Sequence, residues 1–123
     1  MSIIIHRLYG VDPNLESKLK ARGIKDNEDL LRACGNHGAM MELARSADVD
    51  ISVVRRLIHR AELARIRGIG ETYTMLLEEA GIATTHDLAG SSPEDLQARL
   101  TSIKTEKQLV GRVPALAMIN GWV

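Results

Sequence analysis

The chain contains no phenylalanine, and its aromatic side chains are two tyrosines and one tryptophan in 123 residues. Tyr9, Tyr73 and Trp122 are too few and too scattered to stack the bases of a single strand. The core must then come from Leu, Ile, Val, Met and Ala, a set that favours helices packed closely through small residues. One cysteine, Cys34, excludes an internal disulfide framework and fits a reducing compartment. Neither sign of charge is in surplus, with 16 Lys and Arg against 16 Asp and Glu. A dedicated DNA binder usually carries a basic excess. No apolar run approaches the ~20 residues of a membrane span. The opening Ser2-Ile3-Ile4-Ile5-His6 is too short for a signal sequence and has no basic lead-in. A cytoplasmic protein without membrane contact is expected, with residues 1–123 forming one domain of modest core.

What the chain does have is a stretch from Leu63 to Leu77 that reads as a helix end, a tight turn at Gly68-Ile69-Gly70, and a new helix. Two glycines around a β-branched residue suit a reversal with positive φ, Ile69 plugging inward. Leu63, Ile66, Ile69, Tyr73, Leu76 and Leu77 are spaced to bury facing stripes. The pattern recurs at a fixed offset of 58. Gly10, Val11, Leu15, Leu19, Gly23, Ile24, Asp29 and Leu30 match Gly68, Ile69, Tyr73, Leu77, Gly81, Ile82, Asp87 and Leu88. Such a duplication marks a structural repeat. The expected units are repeat one over about 3–50, a connecting helix over about 51–66, and repeat two over about 61–123.

This stretch resembles a helix-hairpin-helix unit: an apolar helix, a Gly-apolar-Gly hairpin, and a second helix with a small residue four places on, here Thr74. Arg67 stands where many members carry proline. The whole chain looks like a bacterial family known only as a domain of unknown function with tandem units of this kind. The resemblance implies an all-α, compact bundle of short helices with pseudo-two-fold symmetry.

Local signals place the helices. Ile3, Ile4, Ile5 and Leu8 are expected to form a short first helix, and Asp12-Pro13 to open the next, which ends at Gly23. Asp26 to Asp29 and Thr84 to Asp87 read as capping boxes. Cys34 to Gly38 reads as a turn, followed by a helix over 39–46. Asp50 or Ser52 caps a longer helix that runs into the second hairpin. Ser92-Pro93-Glu94-Asp95 reads as a helix start with a serine cap. Residues 105–111 are expected to begin a further helix, and Leu116, Ile119 and Trp122 to staple the last one. No two-residue alternation points to a sheet.

Helix-hairpin-helix units bind nucleic-acid backbone without reading sequence, because hairpin amides and a helix N-terminus offer free donors to a phosphate. The resemblance implies that role for Gly68, Ile69 and Gly70, with a hydroxyl from Thr72 and attraction from Arg60, Arg65 and Arg67. These arginines belong to a basic cluster with Arg55, Arg56 and His59. Glu71, directly after the hairpin, opposes the role. In the first hairpin Asp12 caps its own helix and Pro13 lacks an N–H, so that hairpin suits stability better than phosphate. The alternative is an adaptor or self-associating domain, its arginines facing an acidic protein partner. Cys34 and His37 have one-turn metal spacing but no second pair, and a structural turn is the expected reading. Gly68-Ile69-Gly70 lacks the third glycine and the lysine of nucleotide motifs. No carboxylate pair or activated nucleophile stands out, so a non-enzymatic binding module without cofactor or metal is expected.

Overall fold

Capping residues set the helix boundaries. The computed structural model describes residues 2–107 and 113–123. A short 3-10 turn at Ile5–Arg7 precedes α1 (Pro13–Ala21), α2 (Asn27–Ala33), α3 (His37–Ala47) and α4 (Ile51–Leu63). α5 (Glu71–Glu79), α6 (Thr85–Ala89), α7 (Pro93–Glu106) and α8 (Leu116–Trp122) follow. Asp12, Asp26, Asn36, Asp50 and Thr84 each accept a hydrogen bond from a first-turn amide of the helix they precede. Each bond satisfies a donor that the helix itself leaves open. No strand occurs among the described residues, whose only sheet-like feature is an isolated bridge between Ile4 and Asp26.

Hydrogen bonds in the two halves recur at the offset seen in the sequence. α1 spans Pro13–Ala21 and α5 spans Glu71–Glu79, each nine residues long and 58 apart. Gly23 (φ 80°) and Gly81 (φ 87°) end them in the left-handed region, where a side chain would be strained. Ile24 N–H donates to Leu19 O at 3.0 Å and Gly23 N–H to Lys20 O at 2.9 Å. Ile82 N–H donates to Leu77 O at 2.8 Å and Gly81 N–H to Glu78 O at 3.0 Å. Both ends are Schellman turns, each closed by a buried apolar pair, Leu19 with Ile24 and Leu77 with Ile82. Beyond α6 the register slips by two. α6 has five residues where α2 has seven, so Asn36 ahead of α3 corresponds to Ser92 ahead of α7.

Four local expectations are corrected. The expected helix over Ile3–Leu8 shrinks to the single 3-10 turn at Ile5–Arg7. Ile5 N–H donates to Lys25 O at 2.8 Å and Asn27 N–H to Ile3 O at 3.1 Å, so the β-branched Ile3 and Ile4 pair with residues 25–27 instead of entering a helix. His37 and Gly38 belong to the first turn of α3, capped by Asn36, rather than to a loop. Ser92 precedes α7 but its hydroxyl donates to Glu94 at 3.2 Å instead of accepting from the helix. The helix expected over 105–111 does not start at 105, because α7 runs through to Glu106; residues 108–111 of that expectation lie outside the described residues.

Two apolar clusters form around α4. Ile5, Leu19, Leu30, Leu43, Val54, Leu57 and Ala61 fill the first. Leu63, Ile69, Leu77, Leu88, Leu96, Leu100 and Ile119 fill the second. α4 feeds both: its length goes to the first and its last residue, Leu63, to the second. Asn27, fully buried, ties three segments together. Its Oδ1 accepts Ile3 N–H at 2.7 Å, and its Nδ2 donates to Ala61 O at 3.1 Å.

Leu19 and Leu77 are both 0% exposed. Alanine at either position should remove about 2–5 kcal/mol, through lost burial plus a residual cavity. Urea denaturation of the two variants checks this. A second expectation concerns acid. The amide of Ala83, then the Thr84 hydroxyl and amide, hold the Asp87 carboxyl below its ordinary value. Its contribution is therefore present above the unfolded value of about 4 and fades as pH falls through the folded value. Asp87→Asn should be less stable than wild type at neutral pH, with the gap closing below about pH 4. Denaturation midpoints over a pH series measure it.

Candidate nucleic-acid interface

The two hairpins share a backbone and differ in chemistry. Gly10 (φ 91°) and Gly68 (φ 94°) take the same left-handed turn. Val11 N–H donates to Leu8 O and Ile69 N–H to Ile66 O, both at 3.1 Å. After the first hairpin, Asp12 caps α1 by accepting Leu15 N–H at 2.8 Å. Gly70 is the corresponding residue before α5, and it supplies no side-chain cap. Its φ of −106° does not require glycine, which corrects the expectation that both glycines hold positive φ. A Cβ on Gly70 would meet no heavy atom within 4 Å. Neither backbone strain nor crowding explains glycine there; what its smallness does is leave the start of α5 bare.

That bare N-terminus opens on a hollow of about 460 Å³ lined by Ile3, Arg7, Gly68, Gly70, Glu71, Thr72 and Tyr73. The first internal bond of α5 runs from Thr74 N–H to Gly70 O at 3.0 Å. The Thr74 hydroxyl donates to the same carbonyl at 2.8 Å, so the small buried residue closes the turn from beneath. Thr72 is exposed in the hollow, as is Glu71, whose carboxylate sits on the first turn. The amides of Glu71, Thr72 and Tyr73 precede that first internal bond and are the open donors of the site. Ile69 is 4% exposed and plugs the core, so it shapes the hairpin from within.

On the opposite side, each hairpin is latched by the helix that follows its unit. Arg60 of α4 donates from Nη1 to Tyr9 O at 3.0 Å, and Trp122 of α8 donates from Nε1 to Arg67 O at 3.2 Å. Tyr9 and Arg67 are themselves 58 apart. Trp122 also meets Tyr73 with ring centroids 5.5 Å apart. Hairpin carbonyls are thus taken up inside the molecule, and the amide side of the second hairpin faces out.

The expected arginines separate. Arg60 turns inward, 13% exposed, its Nε 2.7 Å from Glu78 and its guanidinium carbon 4.6 Å from the centre of the Tyr9 ring. It braces the first hairpin against α5 and lies away from the hollow. Arg65 is exposed and pairs with Glu28 at 3.2 Å. Arg67 is exposed beside Gly68. Arg7, which lines the hollow, was not among the expected residues. It corresponds to Arg65 at the 58-residue offset, but Arg65 lines a different hollow, so no sequence signal placed Arg7 at this one. Burial pushes the Cys34 thiol above its ordinary value, which disfavours the thiolate a metal would need. Among the described residues no group of three or more His, Cys, Asp or Glu could hold a metal ion. No helix there is long and apolar enough to cross a membrane.

Residues 9–123 match the family model described as a domain of unknown function, DUF4332. The chain belongs to that family. No curated protein and no solved structure matches it.

If Arg60 is a brace, Arg60→Met should remove roughly 1.5–3 kcal/mol through lost charged hydrogen bonds. Glu78→Gln made on top of it should then add little, because the two side chains act as a unit. A double-mutant cycle by chemical denaturation reads both values.

Proposed function

We propose that this DUF4332 chain is two helix-hairpin-helix units in tandem, a non-enzymatic module that binds nucleic-acid backbone through its second hairpin without reading sequence. The recurrence of turns, caps and Schellman ends at one offset supports the tandem reading. The observation that carries the function is the contrast between Asp12 and Gly70. One helix start is sealed by its own carboxylate, and the other is left open beside Arg7, while Arg67 lines a separate hollow with Gly68, Met118 and Trp122. A phosphate oxygen at that place would take the free amides of α5 and the favourable end of its dipole, with the Thr72 hydroxyl as a further donor. Arg7 supplies attraction at the hollow itself, and Arg67 and Arg65, which line neighbouring hollows, add to it at longer range. Glu71 works against the anion, so the affinity expected is modest and strongly salt-dependent.

The adaptor reading stays as the second one, because Arg55, Ile58 and His59 of α4 line, with Met40 of α3, a separate hollow of about 320 Å³ that the hairpin does not use. A protein using only that hollow would show no affinity for duplexes at any salt concentration.

The test transplants the first hairpin's cap onto the second. Gly70→Asp should leave stability equal or raise it by a few tenths of a kcal/mol, since the open space accepts the side chain and the cap satisfies a donor. Affinity for a labelled duplex should disappear, because the carboxylate occupies the donors and repels phosphate. Fluorescence anisotropy over a salt series provides the readout. Wild type should lose log affinity against log salt with a slope of roughly 0.9 per phosphate neutralised. Unchanged binding by Gly70→Asp, or no wild-type binding at low salt, would remove the nucleic-acid reading.

A further inference from the structure

Glu71 is the part of the second hairpin that a phosphate alone does not account for. It is the first residue of α5, exposed, and it lines the hollow of about 460 Å³ together with Arg7, Thr72 and Tyr73. Its carboxylate has no hydrogen-bond or ion-pair partner among the described residues, and neither has the Arg7 guanidinium. The matched position of the first hairpin, 58 residues earlier, is Pro13, so the acid belongs to the open hairpin alone. An acid in a first turn stabilises a helix start. This one also stands among the open amides, within a side chain's reach of whatever they hold.

A carboxylate can only accept hydrogen bonds. Within a DNA strand the backbone offers it nothing, because phosphodiester and deoxyribose oxygens are acceptors too. Against DNA, Glu71 is repulsion without return. RNA differs at one group: each ribose adds a 2′-hydroxyl, a donor, and the wide minor groove of an A-form duplex displays it. The hollow is larger than a phosphate needs, and half-buried Ile3 and Tyr73 give it apolar walls for a sugar. Resting on the nucleic-acid reading above, we infer that the second hairpin selects RNA over DNA. Glu71 accepts the 2′-hydroxyl of a ribose whose neighbouring phosphate lies on the amides of α5 beside Arg7. A hydrogen bond to an ionised acceptor is roughly twice as strong as a neutral one, so it offsets the repulsion that DNA leaves unopposed.

Two labelled duplexes of one sequence serve as probes, RNA and its 2′-fluoro analogue. Both are A-form, and only the first carries a donor at that position. At low salt the wild-type chain should bind RNA at least roughly threefold tighter than the analogue. Glu71→Ala, a change at an exposed position, should bind the two alike, and should bind the analogue tighter than wild type does. An acid that served only the helix would leave the ratio of the two affinities unmoved. Equal wild-type affinities, or a preference that survives Glu71→Ala, would overturn the selection of RNA and leave the hairpin a backbone binder. Binding of neither duplex would remove the nucleic-acid reading itself, and this inference with it.

Discussion

The structure depends on one helix serving two cores. α4 buries Val54, Leu57 and Ala61 in the first cluster and delivers Leu63 to the second before the chain turns at Gly68. Neither half holds α4 by apolar contact alone. Asn27 holds the carbonyl of Ala61 from the first half, and Arg60 reaches Glu78 in the second. Both ties are largely buried, where an unpaired partner is costly, so they fix how α4 is rotated about its axis. That rotation decides which residues reach each hairpin and which remain on the outer stripe.

From this constraint the asymmetry of the hairpins follows. Arg60 is taken up by Tyr9 and Glu78 beside the first hairpin, and Trp122 occupies the comparable carbonyl of the second. The two turns thus have their carbonyl side closed in the same way by different chemistry. Their amide sides diverge through a single pair of matched positions, Asp12 and Gly70. In the proposed reading, one of the two matched turns serves stability and the other is free for contact with an outside anion.

The sequence announced whatever depends on near neighbours. Left-handed glycines, aspartate and threonine caps, and the leucines packed behind them are local signals, and Gly23, Gly81, Thr84, Leu19 and Leu77 lie where those signals put them. It was silent where partners are distant. Asn27 looked like part of a capping segment, yet its amide spans 24 residues to Ile3 and 34 to Ala61. Arg60 looked like one of several surface arginines, and only a tertiary partner, Glu78, turns it inward. The Ile3–Leu8 segment misled because its apolar content is real but its backbone pairs with residues 25–27. For the candidate site, the hairpin itself was legible, whereas the approach of Arg7 from the other half was not.

On the proposed function, an anion meets the second hairpin at the open amides of α5 and does not meet the first. Backbone amide shifts followed by NMR during titration with a short duplex, at low salt, observe those donors one by one. The largest changes should fall at Gly70, Glu71 and Thr72, with Asn14 and Leu15 at the start of α1 unmoved. Equal changes at both helix starts, or changes confined to the rest of the surface, would contradict it.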